Sequence, residues 1–251
     1  MLDALYFALG LNLTGFIVAF NFGTDKMTDI SYALTFAGIG VFGILHDWSS
    51  PAKWVVFLLV LVWAARLGGY LLYRIHTIGR DTRFDTMRHV WWRFGGFWLL
   101  QALAAWIVML PATLLSQVPQ VADIQLLVII GAILALGGIV FEGISDHQKF
   151  TFMRNPLNKG KWMDSGLWAY SRHPNYFGEI LTWVGVFVCC SPWLHGNAFF
   201  VGLISPVFIA LLLIFVSGIP LLEKSADKKY GTNPQYQAYK RSTSILIPLP
   251  R

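Results

Sequence analysis

Apolar residues run along this chain in long blocks broken by short polar links, and the blocks are of membrane length. Crossing the hydrocarbon core takes about 20 predominantly apolar residues in a helix. Seven stretches approach that length: 2–20, 30–45, 54–73, 97–115, 124–143, 176–193 and 199–220. The first stops at Asn21-Phe22-Gly23; the second is Gly-rich and stops at His46-Asp47-Trp48. Pro51 stands just ahead of the third. The pattern predicts an all-α integral membrane protein with seven transmembrane helices, folded as one multi-pass domain over residues 1–251.

Charge gives the seven-helix scheme an orientation. The link between the third and fourth helices carries Arg74, Arg80, Arg83, Arg88 and Arg93. The link between the fifth and sixth carries Lys149, Arg154, Lys159, Lys161 and Arg172. Lys26 and the tail cations Lys224, Lys228, Lys229, Lys240, Arg241 and Arg251 fall on the same side, while Lys53 is alone on the other. Cytoplasmic loops are the ones enriched in Lys and Arg, so the N-terminus is expected outside and the C-terminus in the cytoplasm. Composition agrees with a membrane setting: 56% hydrophobic, 16% aromatic and 13% charged, against about 25% charged in soluble domains. The net charge of +6 is accounted for by this asymmetry, and nucleic acid is not an expected partner. Cys189 and Cys190, adjacent within an apolar run, read as small core residues. No basic segment precedes the first apolar stretch, so the first helix is expected to be retained.

Against this background the stretch AYSRHPNYFGEILTW, residues 169–183, stands out. Arg172, His173, Asn175, Tyr176 and Glu179 crowd the threshold of an apolar run. Polar groups at that depth are costly without a partner or ligand. Pro174 suits the first turn of a helix, which puts Asn175 and Glu179 four apart on one face. The expectation is a polar ligand held at the cytoplasmic membrane boundary. Upstream, Glu142 and Asp146 share a helical face and are followed by His147, Lys149 and Arg154. Carboxylates accept from hydroxyls or amides and cations meet phosphates, which together suit a nucleotide cofactor. The tail adds Glu223, Asp227 and Tyr230 at helical spacing, then Tyr236 and Tyr239, as a surface amphipathic helix or a lid.

On the other half, Asp29 opens the second helix, and Arg66 and Tyr70 lie four apart in the third. A mid-membrane Arg needs a carboxylate, a carbonyl or water, so this group is either a structural ion pair or the polar floor of a lipid-sized cavity. The loop with Arg80, Asp81, Arg83, Asp85 and Arg88 either faces lipid headgroups or clamps phosphates. There is no Gly-rich dinucleotide fingerprint, no Walker sequence, no nucleophile elbow and no histidine pair at metal-ligand spacing. No metal is expected.

The segments FEGISDHQKF, SGLWAYSRHPNYFGEILTWVG and EKSADKKYG…YQAYKRSTSILIP resemble the C-terminal half of the steroid 5-alpha-reductase family, closest to its bacterial multi-pass branch. GRDTRFDTMR resembles the same branch. The resemblance implies a seven-helix enzyme that uses NADPH to saturate the carbon–carbon double bond of an enone lipid such as a 4-ene-3-ketosteroid. It implies a cofactor half at 124–251 and a mainly substrate-side half at 1–115. Asn175 and Glu179 match the family motif at the nicotinamide end, Trp183 matches an aromatic position one turn on, and Asp146 and Arg154 match residues near the adenosine. Lys149, Arg172, His173, Tyr176, Glu223 and Asp227 complete the expected cofactor set. Glu142 departs from the Asn that family members carry. The family's substrate-side Gln-Glu pair is replaced by Thr28-Asp29, and Trp63 falls near its Tyr. Asp29, Trp63, Arg66 and Tyr70 are therefore the expected substrate residues, with Asp29 or Tyr70 polarising the ketone and Glu179 at the cofactor. The bacterial look implies an inner membrane, with membrane lipids and the lipid enone as partners and no obligate protein partner.

Two rivals remain open. Arg-His-Pro-x-Tyr-x-Gly followed by Glu and a Tyr-rich tail is also similar to the isoprenylcysteine carboxyl methyltransferases, which use S-adenosylmethionine. The cations between Asp146 and Arg154 favour a phosphate-bearing cofactor, which S-adenosylmethionine is not. A non-enzymatic lipid carrier or assembly factor is the second rival.

Overall fold

A computed structural model describes residues 1–46, 50–79, 84–119, 121 and 124–250, without the side chains of His46 and Ile78. Asp47, Trp48, Arg80, Asp81, Arg83 and Arg251, singled out in the sequence, lie outside the described residues. The helices are α1 (Leu2–Asn21), α2 (Thr28–His46), α3 (Pro51–Ile78), α4 (Trp91–Val108), α5 (Leu110–Ser116), α6 (Leu126–Arg154), α7 (Pro174–Cys190), α8 (Asn197–Leu211), α9 (Ile219–Tyr230) and α10 (Pro234–Ser242). The chain forms two compact units, Met1–Ala132 with Val186–Ser205, and Ile133–Gly185 with Pro206–Arg251; α6, α7 and α8 each contribute to both.

Local chemistry sets the helix starts. Ser50 Oγ accepts from Lys53 N–H ahead of Pro51, and Asn233 Oδ1 accepts from Gln235 and Tyr236 N–H ahead of Pro234. In both, the proline occupies the turn where a missing donor costs nothing, while the cap satisfies N–H groups left over at the helix end.

In the first unit α2 packs on α3, and α1 packs on α4 and α2. Hydrogen bonds stitch these apolar helices together. Asn12 Nδ2 donates to Thr35 Oγ1 at 2.9 Å, and Gln101 Nε2 donates to Asn12 Oδ1 at 2.9 Å and to the Thr28 carbonyl at 3.1 Å. Polar groups removed from water need such partners, and interhelical pairs of this kind hold membrane helices in register. Arg88 links Asp25, at 3.0 Å, with Asp85. That places Arg88 in a structural ion-pair cluster.

Span count is where sequence and structure differ. Among the described residues five helical stretches are long and apolar enough to cross a membrane: Leu2–Asn21, Thr28–Leu45, Pro51–Thr77, Leu126–Arg154 and Asn197–Tyr230. A sixth arises if α4 and α5, bent by 55° at Met109, count as one broken span. Pro111 in the first turn of α5 cannot donate back into α4, which accounts for the break. The expected seventh, α7, has 17 residues, about 25 Å at 1.5 Å per residue, and polar Asn175 and Glu179 take its first turns. Its apolar length falls short of the hydrocarbon core. Seven becomes five or six, in an all-helical, multi-pass membrane protein.

The second unit is built on the crossing of α6 and α7. A Cβ at Gly138 would sit 2.5 Å from the Gly178 carbonyl, and one at Gly178 would sit 2.6 Å from Glu142 N. Thr182 Oγ1, one turn after Gly178, donates back to the Gly178 carbonyl at 2.9 Å. Two glycines facing each other let the backbones touch, as small residues do in membrane helix pairs. α6 also runs on to Arg154, well past the expected end at 143, so Glu142, Asp146 and Lys149 share one continuous helix.

Candidate functional site

Two features of the second unit meet at the start of α7. The first is the polar face of the α6–α7 crossing. Glu142 and Asp146 are buried on α6, and Asn175 Nδ2 donates to Asp146 Oδ1 at 3.3 Å. The close approach at Gly138 and Gly178 brings these polar groups within reach of one another. With its Nδ2 held by Asp146, Asn175 leaves Oδ1 buried and without a hydrogen-bond partner among the described residues. Buried polar atoms are nearly always paired, so an acceptor left in this way calls for a donor from outside the chain. Glu179 follows Asn175 by four residues on the same helix, half-buried.

The second feature is a cleft of about 230 Å³ bounded by α6, the loop after it, α9 and α10. Its walls are aromatic, with Trp162, Trp168, Tyr230, Tyr236 and Tyr239, and Lys149, Arg172 and Lys229 bring positive charge to it. Trp168 is fixed by Nε1 donating to the Ser145 carbonyl at 3.0 Å and by Tyr239 O–H donating to its own carbonyl at 2.8 Å. Lys149 Nζ stands 4.4 Å over the Trp168 ring. Such a cation–aromatic pair presents charge beside a flat apolar surface.

Glu223 on α9 ties the residues just ahead of α7 to α10. It accepts from His173 Nε2 at 3.0 Å and pairs with Lys240 Nζ at 3.2 Å and Arg172 Nε at 3.4 Å. Lys240 also bonds both Asp227 oxygens at 2.6 and 2.7 Å. Burial pushes the His173 pKa below the ordinary histidine value, outweighing the pull of Glu223 in the other direction. His173 is thus a neutral ring that donates Nε2–H to Glu223 and leaves Nδ1 buried without a partner among the described residues. Burial acts to lower the Lys240 pKa, but the hydrogen bonds it donates to Asp227 and Glu223 prevail and raise it. Burial also raises Tyr236, helped by Glu223 and Asp227. Tyr176 stacks on His173 with ring centroids 5.7 Å apart.

Residues 15–243 match the family described as a protein of unknown function (DUF1295). The chain belongs to the DUF1295 family. No curated protein and no solved structure matches it. The DUF1295 description carries no activity.

Of the residues expected at the cofactor, Arg172, His173, Glu223 and Asp227 meet in the ion-pair network, and Asp146 meets Asn175. Lys149 lines the cleft. Arg154 does not: it is exposed, its guanidinium 5.4 Å over the Phe150 ring. Trp183 is buried in the second unit, two turns along α7 from Asn175. The substrate-side residues all belong to the first unit. There Asp29 pairs with Arg74 Nη2 at 2.9 Å, and Trp63 is buried edge-on against Phe36 with ring centroids 4.8 Å apart. Arg66 and Tyr70 are half-buried on one face of α3. Lys240, Trp162 and Trp168 were given no site role in the sequence. Trp168 and Lys240 lie inside family-like segments, which was the available signal; Trp162 carried none. Among the described residues no group of three or more His, Cys, Asp or Glu converges as a metal site.

Proposed function

We propose that this DUF1295 member is an NADPH-dependent membrane reductase that saturates the double bond of an enone lipid such as a 4-ene-3-ketosteroid. In this reading the C-terminus and the cofactor side face the cytoplasm. The observation that carries it is Asn175 Oδ1, buried and without a hydrogen-bond partner among the described residues while Asp146 holds its Nδ2, in the same unit as a cleft that is both aromatic and basic. A primary carboxamide supplies the donor that Asn175 Oδ1 lacks. Aromatic rings suit a purine, and Lys149, Arg172 and Lys229 suit phosphates. The donor set therefore fits a phosphorylated dinucleotide.

NADPH, when bound, supplies the hydride that goes to the beta carbon of the enone. Asp146 orients the Asn175 amide, and Glu179 adds an acceptor four residues on. Glu223 holds Arg172 and His173 in place. On the substrate side a donor to the ketone oxygen stabilises the developing enolate. Asp29, which Arg74 holds at 2.9 Å, and Tyr70 are the two candidate donors. The alpha carbon then takes its proton from solvent.

The same aromatic cleft, with Glu223 beside it, also suits the sulfonium of S-adenosylmethionine. Lys149, Arg172 and Lys229 repel that charge, which favours the phosphate-bearing cofactor. The test is purified protein given NADPH and a 4-ene-3-ketosteroid, with loss of NADPH absorbance as readout. Steroid-dependent consumption that disappears in Glu179→Gln supports the reading. Methyl transfer from S-adenosylmethionine with no response to NADPH overturns it, and unchanged function in Glu179→Gln favours a non-enzymatic carrier.

A further inference from the structure

After α10 the chain STSILIP returns across the residues that precede α7. Ser171 and Ser244 form an isolated parallel bridge, with Arg172 N–H donating to the Ser244 carbonyl at 2.8 Å. Ser171 Oγ donates to the Leu246 carbonyl at 2.7 Å, and Leu249 N–H donates to the Tyr170 carbonyl at 3.2 Å. Burial alternates along this returning chain. Ser244, Leu246 and Pro248 are half-buried, whereas Ile245, Ile247 and Leu249 point outward at 46, 57 and 56% exposure. Tyr170, on the residues being crossed, is 48% exposed.

The level of this patch is set by two helices. α7 begins at Pro174, directly after the strapped residues. The exposed apolar run of Phe215 and Val216 leads straight into α9, whose first turn exposes Leu221 and Leu222. His173 and Glu223 meet at 3.0 Å, so the start of α7 and the beginning of α9 lie at one height. The patch therefore continues the apolar surface of the spanning helices at the edge where they emerge. Lys224, Lys228 and Arg241 are exposed on the same α9 and α10. An apolar row flanked by exposed cations is the arrangement that lies in a bilayer interface and draws anionic headgroups.

We propose that residues 244–249 and the first turn of α9 form a membrane-docking surface seated in the interfacial layer of the bilayer. Ile245, Ile247 and Leu249 enter the acyl boundary, and the α9–α10 cations face anionic phospholipid headgroups. The bilayer then covers the outer side of the strap whose backbone holds Arg172. This rests on the multi-pass character of the chain and is independent of which cofactor it uses.

The test uses the full chain reconstituted in phosphatidylcholine vesicles with and without phosphatidylglycerol. Ile247→Cys is labelled with an environment-sensitive fluorophore. Both native thiols, Cys189 and Cys190, are buried, so the wild type serves as the labelling blank. Thr232→Cys, exposed in the α9–α10 turn, is the aqueous reference. The expected result is blue-shifted emission at position 247, lost with lipids carrying a shallow nitroxide, protected from aqueous iodide, and enhanced by phosphatidylglycerol. Iodide quenching at 247 equal to that at 232 overturns the proposal. So does protection from both quenchers, which means that protein covers the patch. Leu249→Cys gives the same readout if Ile247→Cys does not fold.

Discussion

Gly178→Ala probes the α6–α7 crossing, on which the cofactor side of the site is built. The added methyl would lie 2.6 Å from Glu142 N, 2.8 Å from the Gly138 carbonyl oxygen and 2.9 Å from Glu142 Cβ, whereas ordinary contact begins near 3.4 Å. Two of these three neighbours are helix backbone, so no side chain can swing away, and the helices must part by roughly 1 Å. Overpacking of this kind costs about 1–3 kcal/mol. For a chain of this size that is a fall of about 2–12 °C in Tm. The same separation ends the Asn175–Asp146 hydrogen bond, which at 3.3 Å is already near its limit. Nucleotide affinity should therefore fall along with stability, and Gly138→Ala, which meets the Gly178 carbonyl and Thr182 N, should behave alike. The assay is thermal unfolding in detergent with and without NADPH. An unchanged Tm in both variants refutes the close crossing. A lowered Tm with undiminished NADPH stabilisation refutes the link from the crossing to Asn175.

Three further outcomes follow from the geometry. Because the folded pKa of His173 is lowered below its ordinary value of about 6.5, the unfolded chain binds the extra proton first as pH falls. The His173 contribution is thus unaffected above about pH 6.5 and costs stability as pH drops below it; Tm followed across this range should show the loss, and His173→Gln should flatten it. Arg74→Met leaves the mostly buried Asp29 carboxylate without the guanidinium and should cost about 1.5–3 kcal/mol, whereas Asp29→Asn combined with Arg74→Met should recover part of it in a double-mutant unfolding cycle. Removing residues 244–251 takes away the acceptors of Arg172 N–H and Ser171 Oγ, and should weaken NADPH binding in a titration more than it lowers Tm.

The start of α7 was legible because Pro174 and the jump in hydropathy coincide, and from that start the shared face of Asn175 and Glu179 follows by spacing alone. The Glu142–Asp146 face was legible for the same reason, but the helix that carries it was not seen to continue to Arg154. Hydropathy reports where lipid ends, and α6 remains helical after its residues become polar. Pairings across long sequence separations left no trace. Pattern groups Asp29 with Arg66 and Tyr70 and does not foresee its bond to Arg74, one to two turns further on. Lys240 reads as a surface cation, yet it bridges Glu223 and Asp227 because α10 folds back on α9. The parallel bridge of Ser171 with Ser244 has no period to detect, since one pairing makes no strand. Span count failed at α7 for a further reason: the polar groups that make it a candidate site also shorten its apolar length.

Cofactor identity is the centre of the account, and a binding titration addresses it before any substrate is known. Trp162 and Trp168 line the cleft, so their fluorescence reports a ligand that enters it. The account predicts saturable quenching by NADPH in the wild type, weakened in Asn175→Ala and in Lys149→Ala, with no competition from S-adenosylmethionine. Saturable binding of S-adenosylmethionine with no response to NADPH would contradict it.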